Sequence, residues 1–171
     1  MDLQPTLRSN LLLCRPLLAS DYDALFEVAR DPLVWEQHPA RDRHKETVFA
    51  SFFREALECA GTLAVVDRNL DVMIGSSRFH GYDPSASEVE SGWTFLARSH
   101  WGGRYNGELK RLMLAHAFQS VDSVVLLVGP DNVRSQHAVE KIGGVRDGTR
   151  NDGAGMESLV YRVTPSFKGL S

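Results

Sequence analysis

The sequence predicts an α/β fold, a central mixed and mostly antiparallel sheet with helices on both faces. Three observations predict it. Strand-like and helix-like segments follow one another in the order β-α-α-β-β-β-α-β-α-β, with room for one more β at the end. One long helical stretch joins two apolar strands as a βαβ crossover, which makes those two strands parallel. No linker-like shift in composition and no internal repeat divides the 171 residues, so residues 1–171 read as a single domain.

The elements follow from local chemistry. Asn10–Leu17 reads as a strand, with Pro16 closing it. Ser20–Arg30 reads as a helix with Ser20 as N-cap, Asp23 as a capping-box variant and Pro32 beyond its end. Arg43–Cys59 is a second helix, with Val48, Phe52, Ala56 and Cys59 on one stripe and Gly61 as its stop. Thr62–Asp67 and Val72–Tyr82 read as strands joined by a turn at Arg68–Asp71. Glu88–Phe95 is a third antiparallel strand. Glu108–Phe118 is an amphipathic helix whose residues Leu109, Leu112, Met113, His116 and Ala117 share one face. Val124–Val128 is a short buried strand. Val133–Ile142 is a helix ending at Gly143-Gly144. Met156–Val163 is a last strand after a Gly/Asp turn at Asn151–Gly155.

Composition narrows the function classes. Apolar residues make up 43% and charged residues 24%, with a net charge of −3, so nothing attracts the chain globally to nucleic acid. The runs Asn10–Cys14 and Val124–Val128 are too short to span a bilayer. Met1–Pro5 lacks the basic start and apolar core of a signal peptide. Cys14 and Cys59 stand apart in apolar surroundings and read as reduced thiols of a cytoplasmic protein. No CxxC, HExxH or Gly-x-x-x-x-Gly-Lys pattern supports metal or nucleoside-triphosphate chemistry.

The most informative segment is Trp101-Gly-Gly-Arg-Tyr-Asn-Gly107, which opens directly into the helix at Glu108. A helix N-terminus leaves N–H groups unpaired and carries partial positive charge. Glycines before it let an anion approach the backbone, most often a phosphate. This cradle follows the strand of Trp93, and ligands of open α/β sheets bind at such strand ends.

Three patterns, in this order and spacing, resemble the GNAT superfamily of acyl-CoA-dependent N-acetyltransferases over about Asn10–Val163. Leu13-Cys-Arg-Pro-Leu with Asp21-Tyr-Asp-Ala-Leu resembles the family's opening strand and helix. Glu90-Ser-Gly-Trp resembles its E-I-G-Y strand. Asn132-Val-Arg-Ser135 through Lys141 and Gly143 resembles N-x-x-S-x-x-x-x-x-K-x-G and is the most specific of the three. The similarity is closest to the Rim-type ribosomal-protein N-terminal acetyltransferases. It implies acetyl-CoA as cofactor, a small-molecule amine or a protein N-terminal amine as acceptor, and often a homodimer. One departure stands out. Arg104 occupies the place of the cradle's central glycine, and Asn106 that of a small residue.

The resemblance implies roles. Trp101, Gly102, Gly103, Arg104, Tyr105, Asn106 and Gly107 would hold the pyrophosphate, and a backbone N–H near Trp93, Thr94 or Phe95 would face the thioester oxygen. The acyl-pantetheine would lie between Gly92–Leu96 and Val124–Val128. Glu90 matches the family's strand glutamate and is the candidate base, with His80 on the neighbouring strand as its rival. Ser135 would protonate the leaving thiolate, since Val139 stands where many relatives carry a tyrosine. Asn132 would partner the pantetheine amide or a water, and serves equally as an N-cap. Trp35 and His38 would border the acceptor. Polyamine, amino acid, aminoglycoside and protein α-amine all remain open as acceptors. A catalytically inactive acyl-CoA-binding sensor or interaction module on the same fold is the second reading, motivated by Arg104 and by the missing tyrosine.

Overall fold

A computed structural model of the chain describes residues 1–151 and 156–165. Its strands are β1 (Leu7–Arg8), β2 (Leu12–Pro16), β3 (Thr62–Asp67), β4 (Val72–Asp83), β5 (Glu88–Leu96), β6 (Ser123–Val128), β7 (Val145–Asn151) and β8 (Glu157–Val163). The helices are α1 (Tyr22–Ala29), α2 (Glu46–Glu58), α3 (Arg104–Ala117) and α4 (Val133–Lys141). All eight strands join one sheet in the order β1-β2-β3-β4-β5-β6-β8-β7. Every neighbouring pair is antiparallel except β5 and β6, the two strands joined by the α3 crossover. No described helix is long and apolar enough to cross a membrane.

The sheet separates two cores. On one face Leu109, Met113 and Ala117 of α3 and Val139 of α4 pack with Phe79, Val89 and Val124 of the strands. On the other, α1 and α2 bring Leu25, Phe49, Phe52 and Phe53 together with Trp35, Ala64 and Phe95. Fully burying each such side chain stabilises the fold by about 1.5–3 kcal/mol, so these two clusters supply most of the driving force.

Several elements begin elsewhere than the sequence suggests. The first helix is not capped by Ser20, which is exposed. A 3-10 turn over Ala19–Asp21 precedes α1. The Asp21 carboxylate there accepts from Leu18 N–H at 2.8 Å and receives Arg15 through two bonds of 2.7 and 2.8 Å. A carboxylate with a bidentate partner outcompetes a hydroxyl for this position. Arg41–His44 forms a separate 3-10 turn, so α2 starts at Glu46 rather than Arg43. Gly61 lies past the end of α2, and its lack of a side chain serves another purpose. A Cβ there would stand 2.0 Å from Phe79 O in β4.

The third helix starts at Arg104, not Glu108. Gly102, at φ +68, turns the chain and Gly103 is the N-cap. Gly102 adopts this left-handed conformation at little cost, whereas a side chain there would be strained. Two strands are additional to the sequence reading. β1 is only two residues long. β7, Val-Arg-Asp-Gly-Thr-Arg-Asn, is exposed at every position, so it carries none of the alternation that marks a half-buried strand. Of the turn expected at Asn151–Gly155, residues 152–155 lie outside the described residues.

Candidate functional site

The site grows from the single parallel pair. β5 pairs with β6 at Glu88–Ser123, Val89–Val124 and Glu90–Val125, and then the pairing stops. Beyond Glu90 the strands part. β6 stays paired to β8 on its other side through Val128. β5 stays paired to β4 through Leu96, interrupted by a bulge: Ser76 pairs with Phe95 and Arg78 with Gly92, so Ser77 alone faces Trp93 and Thr94. Trp93 takes φ +51, a conformation rare for a bulky residue. The β6-facing backbone of residues 91–96 is left without a ladder partner, at the mouth of a wedge in the sheet.

The bulge shifts the alternation of β5 by one residue, so that Val89 before it and Leu96 after it share one face. Thr94 turns toward α3, where its Oγ1 meets Ser77 Oγ at 2.7 Å and accepts from Lys110 Nζ at 2.8 Å. Lys110 is buried, and desolvation pushes its amine down to about 8. Trp93 and Phe95 turn toward α1 and α2. Phe95 packs on the Trp35 ring at 4.9 Å and belongs to the core.

At the mouth of the wedge lies the N-terminus of α3. The N–H groups of Gly103, Arg104, Tyr105 and Asn106 precede the first intrahelical hydrogen bond and have no intrahelical partner. No side chain caps them, and the turn holds no acidic residue. A Cβ placed on Gly103 or Gly107 would meet nothing closer than 4.0 Å, so the surface above the turn is open. Arg104 stands at the first helical position, exposed. It helps line a cavity of about 450 Å³ with Ser9, Asn10, Leu11, Glu108 and Arg111, on the outer flank of α3. The turn is held from behind. Tyr105 Oη donates to Asp67 Oδ2 at 2.7 Å, and His100 Nε2 lies 3.3 Å from the same oxygen. Burial alone would raise the Asp67 pKa, but hydrogen bonds from Tyr105, the Asn69 N–H, His100 and the Leu70 N–H outweigh it and hold the carboxyl below its usual range. Trp101 Nε1 donates to Leu96 O at 2.8 Å, closing the end of β5.

The start of α4 forms the other lip. Asn132 Oδ1 accepts from Ser135 N–H at 3.2 Å, so Asn132 caps the helix. Ser135 is half-buried, and its hydroxyl has no hydrogen-bond partner among the described residues. Arg134 reaches across the mouth. Its guanidinium sits 3.9 Å above the Trp101 ring and donates to Val34 O at 3.3 Å.

The face toward α1 and α2 holds the titratable groups. Glu90 and His80 are direct partners across β4 and β5, and the His80 ring lies 5.5 Å from the Trp93 ring. The Glu90 side chain is 15% exposed, and Arg150 of β7 approaches it at 3.6 Å. Burial raises the Glu90 pKa. Arg150 and His80 oppose that shift, and Glu88 adds to it. Trp35 is buried, its indole N–H donating to Ala29 O at 2.7 Å, so it walls the cleft from beneath rather than opening into it. His38 is half-buried beside it, 5.5 Å from its ring.

Sequence reasoning overlooked Asp67, Arg78, Lys110, Arg134 and Arg150. Two of them left a signal: Arg78 is a charge inside an otherwise buried strand, and Lys110 is a charge among the apolar residues of α3. The partners of the other three are set by tertiary packing alone.

Among the described residues, no cluster of histidine, cysteine and carboxylate side chains has the arrangement of a metal site. The sequence matches the family model of the acetyltransferase (GNAT) domain over residues 11–145. No curated protein sequence matches the chain. Solved structures show the same fold. A GNAT-family acetyltransferase from Bacillus anthracis superposes with a TM-score of 0.77 at 20% identity, covering 94% of this chain and 98% of that one. A GCN5-related N-acetyltransferase from Brucella melitensis gives 0.82 at 16% identity, covering 94% and 79%. Mycobacterium smegmatis RimJ, solved in complex with CoA-disulfide, gives 0.70 at 19% identity, covering 97% and 90%. A family match over most of the chain, a wedge beside the one parallel strand pair and an uncapped helix start at its mouth agree with one another, and the chain belongs to the GNAT family of N-acetyltransferases.

Proposed function

We propose that this protein transfers an acetyl group from acetyl-CoA to a primary amine by direct attack on the thioester. The observation that carries the reading is the wedge beyond Glu90–Val125, with unpaired backbone on β5 and uncapped N–H groups at the start of α3. Those features fit a long acyl-pantetheine arm ending in a pyrophosphate, and the RimJ structure was solved with a coenzyme A derivative. Acetyl-CoA supplies an activated acyl group and a thiolate leaving group.

The chain's own groups do the rest. The first turn of α3 binds the pyrophosphate, and Arg104 flanks it with a cation that bonds phosphate oxygens. Backbone N–H groups around the Trp93 bulge face the thioester oxygen, where preorganised donors stabilise developing charge. Glu90 takes the proton of the incoming ammonium, directly or through a water. Its raised pKa brings it nearer to that task than an exposed carboxylate. Ser135 donates a proton toward the departing sulfur from the start of α4. Overall a C–N bond forms and the C–S bond breaks; of the two protons that leave the nitrogen, one passes through Glu90 to solvent and the other balances the proton that Ser135 gives to the thiolate.

The test is thiol release from acetyl-CoA in the presence of an amine panel, together with acetyl-CoA binding by thermal shift. The expected result is amine-dependent release that falls by about 100-fold or more in Glu90→Gln, the scale of general-base catalysis. Tight acetyl-CoA binding with no amine-dependent release would replace the enzyme with an acyl-CoA-binding module.

A further inference from the structure

The cleft over Glu90 holds two guanidiniums, Arg78 and Arg43, on which Glu55 acts only from beyond salt-bridge distance, as Asp42 does on Arg43. Arg78 sits on β4 two residues before His80 and is 5% exposed. Its Nε donates to Thr62 Oγ1 at 3.0 Å, while Nη2 is buried and has no partner. The guanidinium lies between the Trp93 ring, at 4.8 Å, and the Phe52 ring, at 5.8 Å. Arg43 stacks on the same Phe52 ring at 4.4 Å. Burial and the charge of Arg78 push Arg43 down to about 10, so it stays protonated at neutral pH. Among the described residues no carboxylate lies within salt-bridge distance of Arg43 or Arg78.

His38 adds a third donor. The Ala40 N–H donates to its Nδ1 at 2.9 Å, which leaves the proton of the neutral ring on Nε2. Burial pushes this ring down to about 4, with the Arg43 charge acting in the same sense, so it is neutral at pH 7. Nε2 then faces Arg43 Nη1 at 3.3 Å, donor against donor. Buried donors without acceptors are rare in native structures and call for an explanation. Here an orphaned Nη2, guanidiniums without a carboxylate in contact and a donor-to-donor contact surround one pair of rings. Together they form the complement of an anion.

We infer that the acyl acceptor is an amine that also carries a carboxylate, bound by Arg78, Arg43 and His38 while the amine faces Glu90. The inference rests on the acyl-transfer reading above, since it takes the Glu90 face as the acceptor site. A guanidinium's planar fork matches carboxylates and phosphates, and the carboxylate is the anion that amino acids and peptides carry together with a primary amine. Arg78 and His80 are two residues apart on one face of β4, a span of about 7 Å, and His80 is the cross-strand partner of Glu90. An acidic amino acid, or a peptide with an acidic residue next to its N-terminus, spans that interval. A polyamine would set a second cation against Arg78 and leave Nη2 unpaired.

The experiment uses product-like probes, so that it does not depend on turnover. Calorimetry on the CoA-saturated protein measures binding of N-acetyl-Ala-Glu, N-acetyl-Ala-Gln, N-acetyl-Ala-Lys and N-acetylglutamate. At least one acidic probe is expected to bind about tenfold tighter than the glutamine and lysine probes, the scale of a charge-assisted hydrogen bond. Arg78→Met is expected to abolish that preference. Arg43→Gln, at a half-buried position, is expected to do the same and keeps the test decisive if Arg78→Met does not fold. Equal or tighter binding of the lysine probe, no binding by any probe, or an acidic preference that survives both variants overturns the inference. Whether the peptide or N-acetylglutamate binds more tightly separates a peptide acceptor from a free amino acid. Loss of amine-dependent thiol release with the acidic preference intact would overturn the acyl-transfer reading alone. Turnover with a preference for lysine would overturn this inference alone.

Discussion

Glu90 shows how one residue's chemistry is set by neighbours distant in sequence. Its carboxylate is shielded by the sheet and held in check by Arg150, which comes from the exposed edge strand β7. A base acts when deprotonated, so activity rises as pH passes upward through the Glu90 pKa. Arg150 lowers that pKa. Removing its charge in Arg150→Met therefore moves the acidic limb of kcat/KM to higher pH, by about 0.5 unit for a partly exposed pair. A pH–rate profile checks this, and an unmoved limb would separate either Arg150 or Glu90 from the titration. At this scale the sequence was legible where a residue's own type carried the signal, as with Asn132 as the cap of α4. It was silent on Arg78, because an orphaned donor is defined by what fails to surround it, whereas the charged stretch Arg41–Lys45 already offered Arg43 as a border for an acidic substrate.

Among the elements, α3 matters most. Its expected start at Glu108 moved back a full turn to Arg104, since the Gly102-Gly103 pair supplies both the left-handed turn and the N-cap. Arg104 therefore stands within the helix rather than in the glycine turn, and its exposed side chain leaves the backbone amides uncovered. The departure from the family's cradle becomes an extra cation beside the amides. Asp67, at the end of β3, fixes that helix start through Tyr105 and His100. Tyr105→Phe is expected to raise the KM for acetyl-CoA several-fold with a smaller change in kcat, because it loosens the binding turn and leaves the groups around Glu90 in place. Steady-state kinetics at saturating acceptor measure the split, and a change confined to kcat would contradict it. Strands with clear alternation, and helices with an apolar stripe, were legible in advance. β7 was not, since an edge strand exposed at every position shows no alternation and is defined by its pairing with β8.

Across the whole molecule, stability is tied to pH at Lys110. Its ammonium is buried against Thr94 on the α3 side of the bulge, and among the described residues it has no counterion. Its pKa is depressed from 10.5 to about 8, so between those values the unfolded chain binds a proton that the folded chain has released. Stability therefore rises with pH across that window. Below it the folded state carries a penalty of roughly 3 kcal/mol. Lys110→Met should stabilise the protein by about 2 kcal/mol at pH 7, and the gain should shrink as pH climbs from 8 toward 10.5. Chemical denaturation at several pH values tests the slope. A loss of stability at pH 7 would show that the Thr94 hydrogen bond outweighs the desolvation.

The same scale gives the parallel pair its meaning. Five strands lie on one side of it and three on the other, yet the two groups are laced together by three residue pairs. At the open end, Arg134 resting on Trp101 is a side-chain tie between the lips. Mechanically this is a clothes-peg, with the laced end as its spring and the Arg134–Trp101 tie at its jaws. Whatever lies along the unpaired edge of β5 becomes, for the duration of its stay, the missing strand of the sheet.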